Sequence, residues 1–252
     1  MTEYVVVIPA RYASTRLPGK PLRLIAGKPM LQHVHERAIA SGAAEVVVAT
    51  DDERIVRAAE AFGANVCMTD GNHPSGTDRL AEVSRLRGWP DDRIVVNLQG
   101  DEPLLPAELI DQCATLLESG AVGMATLASP FQSTTEFEDP NVVKVIVDDE
   151  HNAIYFSRAA IPYARSPQTV EKAMDCALHH HGIYAYRVDV LHRIVAAARA
   201  PLEASEQLEQ LRAIALGIRI RVGKPRVRPG PGVDTEADLA RIGELLAAGD
   251  RE

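Results

Sequence analysis

The feature that most constrains this chain is the alternation of short β-branched runs with stretches long enough for a helix. Tyr4-Val-Val-Val-Ile8, Glu45-Val-Val-Val-Ala-Thr50 and Arg93-Ile-Val-Val-Asn-Leu98 are the clearest runs. Their spacing is that of parallel strands joined by crossover helices. Strands are expected over 4–8, 45–50, 65–68, 93–98 and 123–127. Helices are expected over 29–41, from Asp51-Asp52 to Phe62, up to about 87, and over 106–119. Pro29 suits a first helical turn, and Gly42 and Gly63 suit helix stops. The expected fold is α/β: a Rossmann-like, mostly parallel sheet flanked by helices, with its ligand crevice outside the carboxyl ends of the strands.

The rhythm breaks after residue 127. Runs at 142–147 and 153–156 flank Asp148-Asp149-Glu150-His151-Asn152 and predict a β-hairpin. Residues 164–177 have no clear period and read as a loop. A strand is expected over 180–187, helices over 188–198 and 205–216, and a short strand over 219–222. A final helix begins near Thr235, where Thr235 and Asp238 have capping-box spacing. The excursion over 129–187 is of the kind that supplies an acceptor-binding wall or a subunit interface.

A length of 252 residues fits one domain, 1–252, carrying that excursion. The net charge of −8 argues against a nucleic-acid surface. An anion bound by such a protein needs locally clustered cations or a recruited metal. Cys67, Cys113 and Cys176 are odd in number and widely spaced. They suggest neither zinc nor a disulfide framework, and read as buried thiols in a reducing compartment. Met-Thr-Glu runs straight into the first strand, so neither a signal peptide nor a membrane span is predicted, and the protein is expected to be cytoplasmic.

Arg11, Arg16 and Lys20 fall within ten residues on a loop leaving the first strand, shaped by Pro18 and Gly19. Point charges and forked donors beside exposed backbone N–H groups are what a nucleoside triphosphate needs. The loop is neither GxxxxGK[ST] nor GxGxxG. Asp101 and Asp234 each follow an apolar stretch and precede a helix. Brought together, two such carboxylates would repel unless a cation sat between them, and Mg²⁺ uses one or two carboxylates plus phosphate oxygens and waters. Asp234 also suits an N-cap, but Thr235 with Asp238 can serve there instead.

Six ordered segments carry a resemblance. They are Val7-Ile8-Pro9-Ala10-Arg11-Tyr12-Ala13-Ser14-Thr15-Arg16-Leu17-Pro18-Gly19-Lys20-Pro21, His73-Pro74-Ser75-Gly76-Thr77-Asp78-Arg79, Val96-Asn97-Leu98-Gln99-Gly100-Asp101-Glu102-Pro103, Tyr155-Phe156-Ser157-Arg158, His180-His181-Gly182-Ile183-Tyr184 and Gly232-Val233-Asp234-Thr235. Together they resemble cytidylyltransferases that activate acidic sugars, in particular the CMP-KDO synthetase family. The resemblance implies transfer of CMP from CTP to 3-deoxy-manno-octulosonate (KDO) with release of pyrophosphate, in lipopolysaccharide biosynthesis. It implies Mg²⁺ on Asp101 and Asp234, with Arg11 and Lys20 joining them in catalysis. Ala10, Arg11, Arg16, Lys20, Ser75, Gly76 and Arg79 are implied to bind the nucleotide. Gln99, Arg158, His180, Tyr184, Glu209 and Gln210 are implied to bind the sugar. A homodimer built through 129–187 is implied as well.

Without the resemblance, Arg158 reads as a surface charge and Glu209-Gln210 as a solvated helix face. Two rival functions remain at this point. One is a cytidylyltransferase for another acidic sugar, such as sialic acid or an 8-amino relative. The other is a nucleotide-binding module without transfer activity.

Overall fold

A computed structural model describes residues 3–13 and 17–249. Strand β1 (Tyr4–Ala10) is followed by a 3-10 turn at Lys20–Leu22, a small hairpin of β2 (Leu24–Ile25) and β3 (Lys28–Pro29), and helix α1 (Met30–Ile39). The alternation continues with β4 (Glu45–Thr50), α2 (Glu53–Ala61), β5 (Asn65–Met68), α3 (Gly76–Arg87), β6 (Ile94–Asn97), α4 (Ala107–Thr115) and β7 (Met124–Ser129). Then come α5 (Thr134–Glu138), the hairpin β8 (Lys144–Val147) and β9 (Ala153–Ser157), α6 (Val170–Asp175) and β10 (Leu178–Arg187). The chain ends with α7 (Val188–Ala196), α8 (Pro201–Glu206), α9 (Gln210–Ala215), β11 (Ile220–Gly223) and α10 (Glu236–Gly249).

The main sheet runs β11-β7-β10-β6-β1-β4-β5, with β8 and β9 attached through β10. β6, β1, β4 and β5 are mutually parallel, as are β7 and β11. β10 lies between β6 and β7 and runs antiparallel to both. Along β1, Val6 and Ile8 pack with α1 and α4, while Val5 and Val7 pack with α3 and α7. Both faces are covered, so the strand is apolar at successive positions instead of alternating. This is the α/β, Rossmann-like, mostly parallel sheet flanked by helices that the alternation predicts.

Three local expectations need correction. Residues 164–177 contain a 3-10 turn at Pro167–Thr169 and helix α6. Ala173 and Ala177 pack against Phe131 and Phe137, a long-range contact that leaves no local period. The helix expected over 205–216 is broken: Gln207 adopts a φ of 55° and caps α8, and α9 starts afresh at Gln210. The β2–β3 hairpin was not anticipated. It turns through Ala26 and Gly27 at φ 48° and 82°, the two left-handed residues of a type I′ turn. Among the thiols, Cys67 and Cys113 are buried as expected, but Cys176 is exposed.

Candidate active site

The site assembles where β1 and β6 end. After β1 the chain loops back, the Gly19 amide donating to the Tyr12 carbonyl at 3.1 Å. Gly19 is left-handed at φ 67°, and a side chain there would press on the Tyr12 ring. The 3-10 turn that follows aims Lys20 at two carboxylates. Its Nζ lies 2.7 Å from Asp101 Oδ2 and 3.2 Å from Asp234 Oδ1. Asp101 reaches this point because Gly100 lets the turn after β6 close on β1; a Cβ there would meet the Pro9 carbonyl oxygen at 3.0 Å. Asp234 arrives from the far end of the chain, held by the Val233 amide donating to the Asp101 carbonyl at 2.9 Å. The cap of α10 is the Thr235–Asp238 pair, with the Thr235 amide donating to Asp238 Oδ2 at 3.0 Å and the Asp238 amide donating to Thr235 Oγ1 at 3.2 Å. The Asp234 carboxylate is thereby turned toward Lys20 instead of the helix.

Glu102 adds a third acid to this corner. Burial, reinforced by the Asp101 charge, pushes its carboxyl up to about 8 against the pull of Lys20. The shift favours the protonated form near neutral pH and lessens the negative charge of the corner. No group of three or more His, Cys, Asp or Glu side chains among the described residues is arranged to hold a metal. The Asp101–Asp234 pair nonetheless fits a hard divalent ion: two carboxylates already converge on a cation, the Lys20 ammonium, and Mg²⁺ completes its shell with substrate phosphates and water.

The expected nucleotide residues gather beside this corner. Ala10 ends β1, and the Arg11 guanidinium donates to the His73 carbonyl. Ser75 caps α3, its Oγ accepting from the Asp78 amide at 3.3 Å and donating to Asp78 Oδ2 at 2.6 Å. Gly76 packs so closely on Pro9 that a Cβ would touch its ring at 3.4 Å. Arg79 stands apart, with a side chain fully buried beneath the site. It bonds Thr69 and pairs with Asp51 at 3.0 Å, which makes it a prop for the loop before α3 and not a group open to ligand. Arg16 lies outside the described residues.

All six expected sugar residues, Gln99, Arg158, His180, Tyr184, Glu209 and Gln210, line one cavity of about 550 Å³. β10 makes this possible. Because it runs antiparallel, its first half reaches the edge where the parallel strands end. Arg158 is held by the Glu206 carbonyl, 2.9 Å from its Nε, and by the Pro140 carbonyl, 3.2 Å from its Nη1. Glu206 also accepts from the Arg158 amide and from Ser157 Oγ, so it serves the hairpin, whereas the following Glu209 and Gln210 face the cavity. Glu209 accepts from Thr77 Oγ1 at 2.6 Å. His180 is packed edge-on against Phe156 and contacts Thr126 Oγ1 at 3.0 Å. Burial, helped by its histidine neighbours, pushes its ring down to about 3, so it works as a neutral donor–acceptor. His179 and His181 share the other face of the strand, bonding Glu136 and Ser129 respectively.

Sequence reasoning missed Glu102, Asn97 and Glu206. Asn97 carried a signal: it is the polar residue closing an otherwise apolar strand. Glu102 and Glu206 carried none, because their roles depend on neighbours distant in sequence.

A cytidylyltransferase family model matches residues 5–220. A 3-deoxy-manno-octulosonate cytidylyltransferase of Yersinia enterocolitica is 52% identical over 245 residues, covering 96% of this chain and 98% of its own. The chain belongs to this cytidylyltransferase family. A Thioalkalivibrio sulfidiphilus member with the same description is also 52% identical, over 97% of this chain and 99% of its own. A solved CMP:2-keto-3-deoxy-manno-octonic acid synthetase complexed with CTP superposes with a TM-score of 0.90 at 46% identity, covering 98% of this chain and all of that one. A cytidylyltransferase from Leptospira borgpetersenii shares the fold, with a TM-score of 0.61 at 18% identity.

Proposed function

We propose that this enzyme converts CTP and KDO to CMP-KDO and pyrophosphate. The observation that carries the reading is the convergence of the six acceptor residues on one cavity, beside the cluster of Lys20, Asp101 and Asp234. The anomeric hydroxyl of the sugar attacks the α-phosphorus of CTP; the new O–P bond forms as the bond to the β-phosphate oxygen breaks. The hydroxyl proton is released, and pyrophosphate leaves. Positioning and charge neutralisation supply most of the rate in such a transfer.

Ala10, Ser75 and Gly76 present backbone and hydroxyl groups to the cytosine, and Arg11 with Lys20 faces the phosphates. Arg158 meets the sugar carboxylate, while Gln99, neutral His180, Tyr184, Glu209 and Gln210 meet hydroxyls. Asp101 and Asp234 would hold Mg²⁺, which neutralises the triphosphate and acidifies the attacking hydroxyl. The raised Glu102 carboxyl limits the negative charge that gathers beside Asp101 and Asp234.

The enzyme works in the cytoplasm as a homodimer, supplying lipopolysaccharide assembly. Ile154 and Tyr163, 55% and 87% exposed on the 129–187 excursion, are apolar surface of the kind a second subunit covers. No helix among the described residues is long and apolar enough to cross a membrane.

The test is pyrophosphate release from CTP and Mg²⁺ with KDO, with sialic acid, and with no sugar. Release with KDO alone supports the assignment. Release with another acidic sugar keeps the phosphate corner and moves the acceptor assignment. Silence with every sugar overturns the reading.

A further inference from the structure

Asn97 and Tyr184 are direct partners across the β6–β10 pair, so their side chains rise from the same face a few ångströms apart. Both are almost wholly buried, at 2% and 7% exposure, and both line the acceptor cavity. Each carries a buried polar atom with no hydrogen-bond partner among the described residues: Asn97 Oδ1 and the Tyr184 hydroxyl. Buried polar atoms are rarely left this way, because an unmade bond costs the full desolvation of the group. Their neighbours do not share the condition. Glu209 is engaged by Thr77, Arg158 by Glu206 and Pro140, and the His180 ring by Thr126.

The Asn97 side chain acts on the Tyr186 hydroxyl in the sense of an amide N–H donor, lowering its pKa, and the Asn97 carbonyl oxygen is left as an acceptor without a partner among the described residues. The phenol of Tyr184 supplies a donor, and burial raises its pKa well above the ordinary tyrosine value, so the proton stays on. The chain thus offers one acceptor and one donor on paired residues that line the cavity, neither with a hydrogen-bond partner among the described residues.

We infer that Asn97 and Tyr184 act together as a hydroxyl-reading pair for the acceptor sugar. Asn97 Oδ1 accepts from one sugar hydroxyl, and Tyr184 donates to the oxygen of a neighbouring one. Tyr184 was expected to touch the sugar; Asn97, and the coupling of the two, go further. The inference rests on the proposed acceptor class, a polyhydroxylated sugar acid. It makes the pair a specificity element, since a sugar lacking either hydroxyl leaves a buried polar atom unpaired.

The experiment uses the full enzyme with CTP, Mg²⁺ and a set of KDO analogues each missing one hydroxyl. Tyr184→Phe raises the acceptor KM about 3- to 10-fold, the worth of one neutral hydrogen bond. It leaves the KM for CTP unchanged and does not lower the melting temperature, because the hydroxyl has no structural partner to lose. One analogue that wild type penalises is accepted by Tyr184→Phe as readily as KDO itself. A second analogue, missing a neighbouring hydroxyl, behaves the same way with Asn97→Ala. If Asn97→Ala does not fold, the analogue ratios of Asn97→Ser decide instead, and penalties unchanged from wild type there overturn the role of Asn97. Identical analogue penalties in wild type and Tyr184→Phe overturn the pair while wild-type turnover stands. A drop in melting temperature with both KM values unchanged overturns it too, by showing the hydroxyl to be structural. Absence of wild-type turnover with every sugar acid overturns the proposed function, and the pair with it.

Discussion

At the scale of single residues, the corner where Lys20 meets Asp101 and Asp234 carries the most chemistry. An ammonium between two carboxylates holds them at a spacing their mutual repulsion opposes, and the same spacing suits a metal–phosphate complex. Asp101→Asn keeps the shape and removes one charge while leaving the Lys20–Asp234 pair in place. It is expected to cut pyrophosphate release by about a hundredfold or more, in line with the loss of one transition-state charge contact. The melting temperature should change little, since Asp101 is partly exposed. Near-normal turnover in that variant would sink the metal assignment. Gly230 is the second sensitive residue. A Cβ there would meet the Leu104 carbonyl oxygen at 2.5 Å, and backbone does not yield as a side chain does. Gly230→Ala should displace the segment carrying Val233 and Asp234, lowering kcat about 10²-fold. Single-turnover measurements with CTP in excess would read it, and unchanged kcat would show the segment to be slack.

Among the elements, the β8–β9 hairpin shows how a wall is fixed to a sheet. Lys144 is fully buried, and its ammonium donates to the carbonyls of Asp139, Val142 and Arg158 at 2.7–2.8 Å. One side chain thus ties the start of the hairpin to its end, directly beneath Arg158. Lys144→Met keeps the length but leaves three acceptors without a donor. It should cost about 3 kcal/mol or more of stability by urea denaturation and raise the KM for the acceptor more than that for CTP. A loss under 1 kcal/mol would mean that water replaces the ammonium. The break at Gln207 is the other decisive local event. An unbroken helix would have kept Glu209 and Gln210 on its solvated face; the left-handed residue restarts the helix with both at the cavity.

The whole molecule responds to pH through histidines packed inside the sheet. The rings of His180 and His181 are pushed down to about 3 and about 4 by burial, with neighbouring histidines adding to the effect. In the unfolded chain both take up protons as pH falls through about 6.5, whereas in the fold both stay neutral. The unfolded state therefore binds more protons below pH 6.5, and stability falls as pH drops from there toward 4. The slope is on the order of 1.4 kcal/mol per pH unit for each histidine. Melting curves from pH 7.5 to 4.5 should show this decline, and His181→Asn should flatten it. A wild-type curve level across that range would contradict the buried, neutral rings. Strand alternation explains why the three consecutive histidines do not converge on one metal ion: His180 faces away from His179 and His181.

Much of this protein is legible residue by residue. The β-branched runs, the helix stop at Gly63, the Thr235–Asp238 cap and the cationic loop after β1 are all local. Propensity, periodicity and side-chain chemistry act over a few positions, so the sequence by itself determined the α/β alternation and pointed to a phosphate-binding chemistry. What only the tertiary structure decided lies across long separations. Lys20 finds Asp101 81 positions away and Asp234 214 positions away. β10 enters the sheet antiparallel between two strands that precede it, and the Glu102 carboxyl is pushed up only where the fold sets it beside Asp101. Strand direction, burial and the meeting of distant charges are set by how the whole chain excludes water, and no short stretch of sequence carries that information.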